Sequence, residues 1–270
     1  MSGVDGTGLA TNLAVSAGAV LVVLTATWLV ALRRGEHRIV DIMWGPGFGV
    51  VALVSLLLSI GAGDLGRRLL VAALTIGWGA RLGAHIYRRG RGKGEDPRYA
   101  SLLGKAGGST ARYAYLHIYA PQAAIMWFVS LPVQVAMYER GAIGAFAVVP
   151  IAVWLLGFGF ESVGDHQLAA FTADPANKGK VLERGLWRYT RHPNYFGDAC
   201  VWWGIYLAGV THWLGAAMIL SPAVMTFLLA KGTGKPLLEK GMARTRPGYA
   251  DYVARTSGFV PMPPKRPANS

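Results

Sequence analysis

Long apolar runs leave this chain few folds to choose from. Leu13–Leu32, Ile39–Ile60, Leu69–Tyr87, Tyr115–Tyr138 and Ala142–Phe160 each approach or exceed the length that crosses a hydrocarbon core as helix. A sixth stretch, Phe196–Ala230, is too long for one crossing. The segment Gly209–Trp213 predicts a break there, giving a hairpin whose first helix is short. Inside a bilayer the backbone must satisfy its own hydrogen bonds, and runs of this length do so as α-helices. Pro121 and Pro132 predict kinks in the fourth span. The expectation is an all-α, polytopic membrane bundle of about seven helices, forming a single membrane domain over residues 1–270. No Lys or Arg precedes the first run, which favours a retained helix over a cleaved signal segment.

Charge placement orients that bundle. The 270 residues carry a formal net charge of +13, yet only 15% are charged, against about 25% in ordinary soluble domains. With the N-terminus outside, segments 33–38, 88–114, 163–195 and 231–270 face inward and hold 23 of the 27 Lys and Arg. The outward segments hold Arg67, Arg68 and Arg140, while Arg81 lies within a span. This bias is the positive-inside pattern. It predicts an outer N-terminus, a cytosolic C-terminus and residence in the inner membrane of a bacterium. It also explains the basic balance without nucleic acid. The single cysteine, Cys200, excludes an internal disulfide framework. The six histidines, His37, His85, His117, His166, His192 and His212, show no paired helical spacing for a metal. No GxGxxG motif opens a βαβ unit, so a Rossmann cofactor site is not expected.

Specific polar residues gather on the inner face. The segment 88–112 contains EDPRY (Glu95–Tyr99). The segment from Glu161 to Asp198 contains GDHQL (Gly164–Leu168), DPANKGK (Asp174–Lys180) and GLWRYTRHPNYFGD (Gly185–Asp198). Glu161 and Asp165 are four apart, on one helix face at the end of a span. Carboxylates so near hydrocarbon must be paired or used. A basic stretch follows, with Lys178, Lys180, Arg184, Arg188 and Arg191, and then His192-Pro193-Asn194 opens an apolar helix. Asn194 and Asp198 are again four apart. Cations near a helix start, beside amide and carboxylate groups, suit a ligand with phosphates and sugars. The plain alternative is a solvated basic loop followed by a helix cap. The expected division is a cytosolic-face cofactor region at 161–198 and a cytosolic tail at 231–270.

Several ordered motifs sharpen this reading. VDIMWG (Val40–Gly45), WGARL (Trp78–Leu82), EDPRY, the LPVQ region, FESVGDHQLAAF (Phe160–Phe171), GLWRYTRHPNYFGDACVWWG, GKPLLEK and YADYVARTSGFVP (Tyr249–Pro261) recur in order. Together they resemble the steroid 5-alpha-reductase-like membrane family, and more closely its bacterial branch, over about Val40–Pro261. A shorter RHP-containing pattern is shared with isoprenylcysteine-type methyltransferases and membrane sterol reductases. The resemblance implies a seven-helix, NADPH-dependent reductase of a C=C bond, conjugated to a carbonyl, in a steroid-like or other lipid drawn from the bilayer. It places cofactor contacts at Asp165, Arg188, Asn194, Tyr195 and Asp198; the last is a Glu in the steroid reductases. Lys180, Arg191, His192 and Tyr252 join that set, with Arg81 and His85 from the third span. Asp41 falls at the position of the substrate-facing Glu. The substrate tyrosine position falls near Trp78; Tyr87, His85 and Glu95 are the alternatives that could substitute, and Tyr87 stands with Asp41 as the candidate catalytic pair.

Each assignment has a structural alternative. Asp41 would complement a helix dipole, Arg81 and His85 would snorkel to the interface, and Glu95, Asp96 and Arg98 would form a surface ion-pair cluster. Trp202 and Trp203 read as packing, Tyr249 and Tyr252 as tail anchors, and Gln122 and Gln134 as amides needing partners within the membrane. Two other functions stay open: an S-adenosylmethionine-dependent membrane methyltransferase, as in the RHP-bearing relatives, and a non-catalytic lipid-binding membrane protein.

Overall fold

The computed structural model describes residues 5–211, 213–232 and 234–265, so His212 lies outside the described residues. Along the chain run α1 (Gly6–Arg34), α2 (Ile39–Leu58), α3 (Leu65–Gly90), α4 (Pro97–Leu103) and α5 (Thr110–Ala114). A π-helical turn at Tyr115–Tyr119 leads into α6 (Ala120–Val129) and α7 (Leu131–Ala136). Then come α8 (Val148–Ala173), α9 (Pro193–Gly209), α10 (Trp213–Ala217), α11 (Leu220–Ala230), α12 (Lys235–Thr245) and α13 (Tyr249–Arg255). The described residues contain no strand, only an isolated parallel bridge between Thr190 and Ser257. The protein is all-helical.

Among the described residues, six helices or helix series are long and apolar enough to cross a membrane. They are Gly6–Arg34, Ile39–Leu58, Leu65–Gly90, Thr110–Ala136, Gly144–Ala173 and Trp213–Thr245. This is the composition of an integral membrane protein. The expected count of about seven included the first helix of the last pair. That helix is α9, whose 17 residues put it at the lower limit for a crossing.

Local chemistry explains the breaks. Asp5 caps α1 by accepting from the Gly8 N–H at 3.0 Å, and Gly35 ends it in the left-handed region at φ 69°. Asp64 caps α3 through the Arg67 N–H at 2.9 Å. The fourth apolar series breaks twice, at the π turn just before Pro121 and at Ser130 ahead of Pro132. The fifth apolar run ends at Phe160, and the helix expected to carry Glu161 and Asp165 on one face does so: α8 continues to Ala173, with His166 and Gln167 in it. It continues because its polar residues have partners in the loop that follows, described below.

The chain divides into two compact units: residues 1–147 with 205–221, and 148–204 with 222–270. In the first, α2 and α3 cross at closest range. A Cβ added to Gly45 would collide with the Gly79 carbonyl, and one on Gly79 with the Gly45 carbonyl. One turn on, Gly83 meets the Pro46 ring. Small residues let helix backbones approach in a membrane, where apolar burial gives no net drive. Trp78, beside Gly79, is fully buried, its ring 5.8 Å from that of Phe48. Arg67 and Arg68 are not loose surface charges. Arg67 is fully buried and donates to the Ala208 carbonyl at 2.6 Å and the Gly141 carbonyl at 2.7 Å. Arg68 donates to Ser59 Oγ and the Leu56 carbonyl, each at 2.8 Å. In the second unit, Gly157 of α8 meets Gly197 of α9, and Gly204 meets the Trp154 backbone.

The α2–α3 crossing predicts a sharp positional contrast. Gly79→Val forces a side chain into the Gly45 carbonyl and costs roughly 1–3 kcal/mol. Gly77→Val meets open space. Thermal melting in detergent should show a lowered midpoint for the first variant and little change for the second.

Candidate functional site

Two polar clusters stand out, one in each unit. In the first, EDPRY folds onto the residues between α1 and α2. Glu95 accepts from the His37 N–H at 2.5 Å, the Arg38 N–H at 2.9 Å and the Asp96 N–H at 2.9 Å. Its carboxylate thus closes the turn that starts α2. Asp96 caps α4 through the Arg98 N–H at 2.8 Å, and Pro97 takes the first helical position. Arg98 then bridges two carboxylates, Asp96 at 3.0 Å and Asp41 at 2.8 Å. The Tyr99 hydroxyl donates to the other Asp41 oxygen at 2.5 Å. His37 Nδ1 lies 3.0 Å from the hydroxyl of the fully buried Tyr119.

The electrostatics follow from these contacts. Burial resists ionisation of Asp96, but hydrogen bonds and charge from Arg98 hold its pKa below the usual carboxylate value. Burial, then the neighbouring Asp41 charge, raises the Tyr99 phenol far above its ordinary range. Tyr99 therefore keeps its proton and presents it to a carboxylate. Burial also lowers the pKa of His37, against the pull of Glu95. A carboxylate, a guanidinium and a proton-bearing phenol meet here, an arrangement that can polarise and protonate a carbonyl oxygen.

In the second unit, three motifs interlock. Gly185 turns the chain at φ 62°, where a Cβ would also strike the Gln167 side chain. Gln167 Oε1 accepts from the Leu186 N–H at 3.0 Å. Trp187 Nε1 donates to the Gly164 carbonyl at 3.1 Å, and the Trp187 carbonyl accepts from the Tyr252 hydroxyl at 2.5 Å. Pro193 packs on Gly164, and Asn194 Nδ2 donates to Asp165 Oδ1 at 3.2 Å. These contacts hold α8 in helix well past its apolar run.

Arg191 fastens the tail. Its Nε donates to Glu239 of α12 at 2.8 Å, and its Nη1 donates to the Thr256 carbonyl and to the Val253 carbonyl at 3.2 Å. Its own N–H donates to the Ser257 carbonyl at 2.9 Å. Thr190 Oγ1 donates to the Phe259 carbonyl at 2.8 Å. His192 Nε2 shares Glu239 at 3.2 Å, and its ring stacks on Tyr195 at 5.4 Å. Burial lowers the pKa of His192, opposed by Glu239 and assisted by Arg191 and Lys235. Burial raises the Tyr249 phenol to about 12 and Tyr252 further.

The sequence-predicted residues are therefore distributed as follows. In the first unit, Asp41 sits in the EDPRY cluster, whereas Tyr87 is 53% exposed at the end of α3. The phenol that meets Asp41 is Tyr99. The only sequence signal for it was its place in the EDPRY motif. Arg81 and His85 are half-buried on α3. In the second unit, Asp165 and Asp198 are buried, Asn194 and Tyr195 half-buried, and Lys180 and Arg188 exposed. Arg191, His192 and Tyr252 are committed to the tail through Glu239, the 253–257 backbone and Trp187.

Two outcomes test the tail clamp. Arg191→Gln leaves Glu239 with a diminished partner set and frees the tail carbonyls. Breaking a largely buried pair costs about 3–5 kcal/mol, so limited trypsin digestion should cut at Arg244 and Arg255 much faster than in the wild type. The second concerns pH. A His whose pKa is lower folded than unfolded makes protonation favour the unfolded chain. Stability therefore falls as pH drops through 6.5 toward the folded value. His37 shifts in the same direction, so the informative comparison is His192→Gln, whose melting midpoint should fall less over that window.

The comparisons with known proteins agree on relatedness and are silent on activity. The chain is 25% identical over 264 residues to Uncharacterized protein C594.04c of Schizosaccharomyces pombe, covering 87% of this chain and 75% of the relative. No solved structure matches. The pattern of the family described as "Protein of unknown function (DUF1295)" matches residues 27–256, which takes in the EDPRY cluster, the RHP signature and most of the tail that Arg191 holds. The chain belongs to the DUF1295 family.

Proposed function

We propose that this protein is a membrane reductase that uses NADPH to saturate a C=C bond conjugated to a carbonyl in a lipid-like substrate. The observation that carries the proposal is the Tyr99 hydroxyl held on Asp41 at 2.5 Å, with Arg98 at 2.8 Å on the same carboxylate. Saturating an enone needs a hydride at the far carbon and a proton donor at the carbonyl end. Tyr99, kept protonated by burial and by Asp41, is a donor suited to a carbonyl oxygen. Arg98 keeps Asp41 neutralised when the phenol turns its proton toward substrate. The double bond gains one hydride and one proton in sum, and the proton comes from solvent through this donor group.

The donor set of the second unit suits NADPH. Asp165 and Asn194 offer a buried carboxylate and an amide for ribose hydroxyls and the nicotinamide carboxamide, and Arg188 stands exposed for phosphate. Tyr195, Asp198 and Lys180 complete the cofactor-facing set of this unit in this reading. NADPH, when bound, supplies the hydride. The same reading has seven spans, counting α9, with the N-terminus outside, the C-terminus cytosolic and the protein in a bacterial inner membrane.

Calorimetry of NADPH and of S-adenosylmethionine on the detergent-purified protein tests the cofactor. NADPH should bind, and Asn194→Ala should weaken it about tenfold or more. Binding of S-adenosylmethionine alone would replace the reductase with a methyltransferase. For the chemistry, NADPH oxidation with an enone-lipid panel should fall about 10²–10⁴-fold in Tyr99→Phe, with NADPH affinity retained. An unchanged rate would remove Tyr99 from the mechanism.

A further inference from the structure

The second unit contains a cleft of about 510 Å³, with Glu183, Arg184, Arg188, Arg255, Thr256 and Lys265 among its lining residues. One wall is the approach to the RHP signature. Gly185 turns the chain at φ 62°, and the short helical turn Gly185–Arg188 follows. Arg184 and Arg188 therefore stand at the two ends of one turn. The other wall is the end of α13 and the segment after it. This wall is fixed: Lys265 N donates to the Arg255 carbonyl at 2.9 Å, Met262 N to the Tyr189 carbonyl at 2.9 Å, and Ser257 bridges Thr190.

The charges in this cleft do not cancel. Its four cations face one carboxylate, Glu183, already in an ion pair with Arg255 at 2.8 Å. Among the described residues, the side chains of Arg184, Arg188 and Lys265 have neither an ion pair nor a hydrogen bond. Arg191, by contrast, is used up by Glu239 and the tail carbonyls. The cations of this cleft are left for an anion. Like charges gathered on fixed walls repel unless a multivalent anion joins them, and guanidinium forks match the oxygens of phosphate in geometry and charge.

We infer that this cleft is a phosphate-ester site, holding its ligand through Arg184, Arg188 and Lys265 while Glu183 keeps Arg255 in place. The volume admits a phosphate together with the group it esterifies. The cleft shares Arg188 with the cofactor set proposed above, but its phosphate chemistry stands without the reductase reading: a soluble phosphorylated cofactor and an anionic lipid headgroup share it.

Calorimetry on the full-length purified protein separates the sources and tests the site. One arm titrates pyrophosphate into protein in lipid-free detergent. The other compares binding to nanodiscs containing phosphatidic acid with binding to nanodiscs of phosphatidylcholine alone. Saturable binding in the first arm assigns a soluble phosphate ligand; binding in the second arm alone assigns a lipid headgroup. Either is expected to weaken about a hundredfold in Arg184→Gln/Arg188→Gln, each guanidinium being worth roughly tenfold. It should be unchanged in Lys240→Gln, which removes an exposed cation of α12. Circular dichroism of the double variant should retain the helical signal, since both side chains are exposed. Absence of saturable binding in both arms, or equal affinity in wild type and double variant, overturns the assignment.

Discussion

A polar group in hydrocarbon has only the chain itself for a partner, and this constraint organises both units. Long helices solve it for the backbone. For side chains the solution is concentration at helix ends, where backbone N–H and carbonyl groups are free to be met. Glu95 closes the start of α2, Asp96 starts α4, and Arg191 collects carbonyls at the end of α13. Buried Arg67 does the same at the other end of α3, against the Ala208 and Gly141 carbonyls. Charge in this protein is chiefly a means of ending helices safely.

The two clusters differ in what they leave over. In the tail clamp, Arg191 Nε, Nη1 and N–H and His192 Nε2 all have acceptors, and the result is fixation. In the EDPRY cluster, the Tyr99 proton rests on a carboxylate that also has Arg98. That phenol rests on a side chain, whereas the Tyr252 hydroxyl rests on a fixed backbone carbonyl. The proposed division, chemistry in the first unit and ligand holding in the second, starts from this contrast. The glycines of VDIMWG and WGARL serve neither purpose, and their spacing is set by the approach of α2 to α3.

The helices were legible because hydrocarbon length and apolar composition are local properties. The motifs were legible as blocks, but the partner of each residue was not. Asp41 and Tyr99 are 58 positions apart, and nothing in the sequence separated Tyr99 from Tyr87 as the phenol that reaches Asp41. Arg191 looked like part of a basic, anion-holding stretch, whereas its partner Glu239 lies 48 positions later in a tail read as a separate flap. Arg67 and Arg68 counted as surface charge because burial behind the Gly141 and Leu56 carbonyls depends on the folded packing. What holds α8 in helix beyond Asp165 was hidden for the same reason, since Gly164 and Gln167 meet partners about twenty positions further on.

The Arg191 clamp also imposes an order on biogenesis. During synthesis the signature emerges first, and the residues that satisfy it, Glu239 and 253–257, emerge last. Until then a guanidinium and an imidazole wait beside a newly inserted apolar helix without their acceptors. The second unit can close only after Glu239 and 253–257 have been made; Glu239 and Thr256 lie 48 and 65 positions beyond Arg191. A chain that stops short of Glu239 would hold the signature open, its guanidinium and imidazole facing the hydrocarbon boundary without the carboxylate that joins them.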